Sequence, residues 1–161
     1  SYLNVGSAWG VATGNPKNFD TSNPCGTTVA VQTGTAQETY AEELSKQCEA
    51  DGKGKITVMP HELQTDIATK IISGQYDATL ADSTVIGYTA AGSDGKIEQL
   101  GETFESAPQG IAINKDDAEL TEAVQKAMQY LMDNGYLKDI LAHYGADSAA
   151  LTTAQLNPSV G

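Results

Sequence analysis

β-rich runs alternate with segments of helical period through the first two-thirds of the chain, and this constrains the fold more than any other feature. SAWGVAT at 7–13 reads as a strand, stopped by Gly14, Asn15 and Pro16. TTVAVQ at 27–32 is a second β-rich run, followed at once by Gly34. Residues 36–50 then place Tyr40, Leu44 and Cys48 on one helical face. KITVM at 55–59 predicts a third strand, and 62–73 a helix with Leu63, Ile67 and Ile71 at intervals of four and Gly74 as its stop. YDATLA at 76–81 predicts a strand. A short helix follows over Ser83–Tyr88, then a GSDG turn at 92–95 and a short strand, KIEQLG, at 96–101. This βαβαβ order predicts an α/β fold of three layers, α/β/α, built on a mainly parallel five-stranded sheet. Such sheets take ligands beyond the carboxyl ends of their strands. Two loops lie at that edge: TGTAQ at 33–37 and ADS at 81–83.

The last third changes character. GIAIN at 110–114 predicts a strand, and a helix from about 118 to 133 carries Leu120, Val124, Ala127 and Leu131 on one stripe. Asn134 and Gly135 break it, and a second helix follows with Leu137, Leu141 and Tyr144. The tail beyond Gly145 is rich in Ala, Ser and Thr, and no internal repeat stands out.

Charge narrows the partners. Nine basic residues face 21 acidic ones, a formal charge of -12, in a chain of 161 residues. Nucleic acid and anionic membrane surfaces are bound through cationic groups, so neither is expected. All the basic residues are lysines; arginine, the preferred bidentate clamp for carboxylates, is absent. No apolar run approaches the ~18 residues that cross a bilayer as a helix. The chain opens at Ser1 rather than Met, which reads as processing or a cut.

Three groups of residues could carry chemistry. Thr35 with Glu38 fits the T-x-x-E capping box at the start of the 36–50 helix. A helix start also attracts carboxylate or phosphate, and Gly34 would let such a ligand approach the backbone. Asp82 ends an apolar strand, where it either caps the next helix or faces a ligand ammonium as a fixed anion. Asp77, at the start of that strand, reads as structural. His61 and His143 lack a Ser, Cys or carboxylate at motif spacing and read as surface or capping groups. Trp9 reads as a core residue. Cys25 and Cys48 are either a disulfide, which would put the protein outside the cytosol, or two buried thiols; a zinc site would need four ligands. No motif for a metal, cofactor or nucleotide is present, and none is expected.

Four stretches, CGTTVAVQTGTAQE (25–38), SGQYDATLADS (73–83), SAPQGIAINKDDAEL (106–120) and NGYLKDILAHYG (134–145), resemble successive blocks of one family. These are the extracellular solute-binding proteins of amino-acid ABC transporters, in the polar-amino-acid branch of the type II periplasmic-binding-protein fold. The resemblance covers nearly the whole chain. It implies two lobes joined by two crossing strands, with the ligand in the cleft between them. Residues 1–108 match lobe two. Residues 109–161, a return strand, two helices and a tail, match parts that belong to lobe one, whose earlier portion is not in this sequence. The resemblance further implies that Gly34 and Thr35 hold the α-carboxylate of a free amino acid, that Gln37 makes the next polar contact, and that Asp82 takes the α-ammonium. Gln64 is a lesser candidate. Ala36 replaces a hydroxyl found in some relatives. The missing arginine agrees with a missing lobe one, and a Cys25–Cys48 disulfide matches one seen in part of the family.

The expectation is therefore the binding component of an importer, outside the cytosol: secreted, periplasmic or anchored to the cell surface by lipid. It would bind without catalysing and deliver its ligand to a membrane permease. Two alternatives are a dehydratase-like enzyme of the same fold, which would need an acid–base pair in the cleft, and a cell-surface interaction module with a vestigial site. The unpartnered apolar stripe of 118–133 implies a homodimer or segment-swapped assembly.

Overall fold

A computed structural model describes residues 1–159; the last two residues of the expected tail lie outside the described residues. The sheet has five strands: β1 (Leu3–Ala12), β2 (Thr28–Gln32), β3 (Thr57–His61), β4 (Ala78–Asp82) and β5 (Ile97–Gln109). Their spatial order is β3-β2-β4-β1-β5. β2 runs parallel to both β3 and β4. β1 is antiparallel to β4 and to β5, so four of the five strands share one direction. Helix α1 (Ala36–Ala50) follows β2, α2 (Gln64–Ile72) follows β3, and α3 (Ser83–Ala91) follows β4. Helices α4 (Ala118–Asp133) and α5 (Tyr136–His143) close the chain.

The period-two alternation of the strands divides the core into two layers. Val29, Val31, Leu80, Trp9 and Val11 point to the side covered by α1, where they meet Ala41 and Cys48. Ala30 and Ile97 point to the other side, against Ile67, Ile71 and Tyr76. Ile86 of α3 packs there on Ala8 and Ala81. Ile67, Ile71, Ile86 and Leu80 are among the largest fully buried side chains, each contributing about 1.5–3 kcal/mol of transfer free energy. The expected three-layer arrangement is thus formed. Trp9 is a core residue, 5.0 Å from the Phe19 ring centroid. Cys25 and Cys48 form a disulfide that ties the loop before β2 to the end of α1.

Three local expectations are corrected. Leu63 is not part of the α2 face: it is the extended residue before the first turn (φ -118°), and it is exposed. β5 runs to Gln109 rather than stopping near 101, because β1 begins at Leu3 and offers a ladder partner as far as Leu3 opposite Gln109. The strand expected at 110–114 is not formed. A strand exists only where a neighbouring strand accepts its backbone bonds, and the ladder ends at the last residue of β5. The return segment instead docks through its helical end. A Cβ on Gly87 would lie 2.1 Å from the Gly145 carbonyl oxygen, so the end of α5 meets α3 backbone to backbone.

Candidate functional site

The carboxyl ends of β2 and β4 deliver the two loops singled out above to one place. Thr35 starts α1: its hydroxyl donates to the Gln32 carbonyl (2.7 Å) and accepts from the Glu38 N–H (3.2 Å). Glu38 completes the capping box one residue early. Its carboxylate accepts from the N–H of Gly34 at 2.6 Å. Gly34 has φ +77°, the left-handed region that glycine adopts without strain. Nothing in the protein lies within 4 Å of where its Cβ would be, so the positive φ of the turn, not crowding by the protein, calls for glycine here.

Asp82 is the N-cap residue of α3 by position, yet its side chain makes no capping bond. Oδ1 instead accepts from Nε2 of Gln37 at 2.8 Å. The same nitrogen donates its second proton to Oγ of Ser7 at 3.1 Å. Ser7 is buried on β1, in register opposite Asp82 of β4. A strand, a helix start and a second strand end are thereby joined through one amide. Neither Oδ2 of Asp82 nor Oε1 of Gln37 has a partner among the described residues, and neither is buried.

Thr35, Gln37 and Asp82 line a small cleft with Gln32, Leu80, Ala81 and Val85, about 50 Å³ in volume. That is room for about two water molecules, less than an amino acid needs, so these residues form one wall of a site rather than an enclosed one. Its chemistry is dipolar. Asp82 offers a carboxylate oxygen to a cation, and the α1 start presents its positive dipole end to an anion, although the Glu38 carboxylate already takes the N–H of Gly34.

Of the residues anticipated from sequence, Thr35, Gln37 and Asp82 come together, with Gly34 beside them. Gln64 does not line the cleft; its amide is buried and unpartnered among the described residues at the start of α2. Ser7 was missed. Its one sequence signal is a hydroxyl in a mostly apolar strand. Asp77 is structural, as expected: Oδ2 accepts from the Thr28 N–H at 2.7 Å, and Lys17 lies 3.8 Å from Oδ1. His61 pairs with the Tyr76 hydroxyl at 2.9 Å, and His143 sits edge-on to Tyr144. A second groove, about 630 Å³, lies elsewhere, between Pro108–Lys115, α4 and the tail. It is lined by apolar groups such as Ile111, Ile113, Val124 and Met128 together with polar ones such as Lys115, Glu122 and Gln125.

The structure is thus a three-layer α/β body with a polar site at the carboxyl ends of its strands and a return segment on its side. Comparisons with known proteins add what it is similar to. The chain is 39% identical over 157 residues to the arginine-binding protein ArgT of Corynebacterium glutamicum, covering 97% of this chain and 51% of that protein. It superimposes on an ancestral cationic amino-acid solute-binding protein with a TM-score of 0.73 at 22% identity, over 90% of this chain and 62% of the other. An ancestral arginine-binding protein bound to arginine matches with a TM-score of 0.61 at 25% identity, over 88% of this chain and 61% of the other. No family model matches. The chain is thus similar to amino-acid-binding proteins, and it spans about half the length of the curated relative it matches.

Proposed function

We propose that the chain is lobe two, with the return segment, of the substrate-binding component of an ABC importer, and that it binds a free amino acid in a cleft shared with lobe one. Residues 1–108 form the lobe, and 109–161 serve its partner. The observation that carries this is the side chain of Asp82. It leaves its own helix start uncapped, turns onto Gln37, and keeps one oxygen open beside the start of α1. An open carboxylate next to an anion-favouring helix start suits a zwitterion. Asp82 with Gln37 would take the α-ammonium, and Gly34 with Thr35 the α-carboxylate. The Corynebacterium relative is an arginine-binding protein, which makes a cationic amino acid the first ligand to test. Release to a permease on the outer side of the membrane completes the role, and the Cys25–Cys48 disulfide suits that compartment.

An ancestral amino-acid-binding precursor of cyclohexadienyl dehydratase is among the structural neighbours. A dehydratase needs an acid–base pair. Asp82 is the single ionisable group among the residues lining the cleft, which favours binding over catalysis. Calorimetry against the proteinogenic amino acids tests the proposal, on this chain and on a protein that joins it to a first lobe. Losing one partner of a buried charge pair costs about 2–5 kcal/mol. The chain alone should therefore bind weakly and the joined protein tightly. Absence of heat from both would overturn the reading.

A further inference from the structure

We propose that Ser7 is a positioning residue that makes this site select for a primary ammonium, an inference that rests on the amino-acid-binding reading above. A glutamine amide can present either its NH₂ or its carbonyl to a neighbour. Here both N–H donors of Gln37 are engaged, one on Oδ1 of Asp82 (2.8 Å) and one on Oγ of Ser7 (3.1 Å). With both donors turned inward, Oε1 is the atom left for a ligand. Oδ2 of Asp82 is likewise open. The wall thus offers two acceptor oxygens and no competing amide donor, which suits a group with several N–H bonds. An anionic group, or a neutral one without N–H or O–H, would leave both acceptors unmatched at this place, and an unmatched polar group is costly once water is excluded.

Ser7 can hold this role because it cannot easily move. It is 7% exposed, sits in the β1 ladder opposite Asp82, and is flanked by a register shift on either side, between Val5 and Ser7 and between Ser7 and Trp9. The neighbouring Gly6 is equally confined: a Cβ there would lie 2.4 Å from the Phe104 carbonyl oxygen. Removing the hydroxyl leaves Gln37 anchored by Asp82 alone and free to turn its NH₂ toward the ligand.

The test is a nuclear magnetic resonance titration of the 161-residue chain with two probes: L-arginine, and its des-amino analogue that lacks only the α-ammonium. Wild type should prefer L-arginine, with the largest shifts at Gln37 and Asp82. Ser7→Ala should cut that preference about three- to tenfold, the worth of one hydrogen bond. Affinity for the analogue should stay unchanged, and the side-chain amide signals of Gln37 should move. In a Gln37→Met background, Ser7→Ala should add nothing, as expected if it acts through that amide. Ser7→Cys keeps the shape with a poor acceptor, and carries the same test should the alanine variant fail to fold. A variant that folds and keeps the full preference overturns the role of Ser7 while leaving amino-acid binding intact. A wild type that treats both probes alike overturns the ammonium reading itself, and this inference with it.

Discussion

Breaking the Cys25–Cys48 bridge perturbs the lobe at a place where the effect can be sized. The bridge spans 23 residues of sequence, covering β2 and nearly all of α1. In the chain-entropy account a loop of that length contributes about 3.4 kcal/mol by restricting the unfolded chain. For a domain of this size, 1 kcal/mol moves Tm by roughly 2–4 °C, so reduction should lower Tm by about 7–14 °C. Packing adds little to this. Cys48 is buried with Cys25 against the α1 core layer, and Cys25→Ala with Cys48→Ala removes only two sulfur atoms from it. Scanning calorimetry with and without reductant, and on the double alanine variant, reads the shift. Intact mass after alkylation reads the bond. Two freely alkylating thiols in the unreduced folded protein would refute the bridge. A bridged protein whose Tm ignores reductant would refute the entropic reasoning.

Other outcomes can be checked together. In a protein that includes a first lobe, Asp82→Asn keeps the shape and removes the charge; amino-acid affinity should fall by about one to several powers of ten with little change in Tm, since Asp82 makes no capping bond. Gly87→Ala should detach the end of α5, because its Cβ would sit 2.1 Å from the Gly145 carbonyl oxygen; thermal denaturation should show a loss of about 1–3 kcal/mol. Tyr40 is held above the ordinary tyrosine range by burial and, secondarily, by the nearby Glu105 carboxylate. The neutral phenol is thus favoured in the folded state, so the stability it brings is intact below about pH 10 and lost as pH rises beyond. Tyr40→Phe should flatten that alkaline fall in a pH series of melts.

What could be read from sequence was whatever is local. α1 was legible to the residue because a capping box opens it and one apolar stripe runs its length. Gly74 marked the end of α2 because a left-handed residue there stops a helix. The second half of β5, ETFESAPQ, has little strand character; it is extended because residues near the other end of the sequence pair with it. GIAIN is the reverse case, a good strand sequence with no partner. At the site, the two readings of Asp82 could not be separated from sequence, because N-cap and ligand-facing aspartates occupy the same position after a strand. The structure removes the capping bond and puts in its place a bond from Gln37, 45 residues away. Ser7 stayed hidden for the same reason: its meaning comes from the register of β1 on β4.

The return segment supplies the last prediction. A compact monomer of 16.8 kDa exposes about 7,600 Å². This chain exposes 9375 Å², a surplus of roughly 1,700 Å² over that scaling. Much of the uncovered surface lies on α4, which has no buried residue although Leu120, Val124, Ala127 and Leu131 share one stripe. The tail covers part of it, with Gln125 and Gln129 bonded to the backbone of Thr152 and Ala154. The groove of about 630 Å³ beside it stays open. One partner in a stable interface buries about 800 Å², so the surplus is ample for one. Self-association of the chain alone should proceed through this helix face. Light scattering coupled to size exclusion should show a mass that rises with concentration. Leu120→Glu, on a residue 48% exposed, should return it to monomer without lowering Tm. Joining a first lobe should do the same by covering the face. A monomeric mass for the wild-type chain across a wide concentration range would mean that water tolerates this surface, and would refute the argument from area.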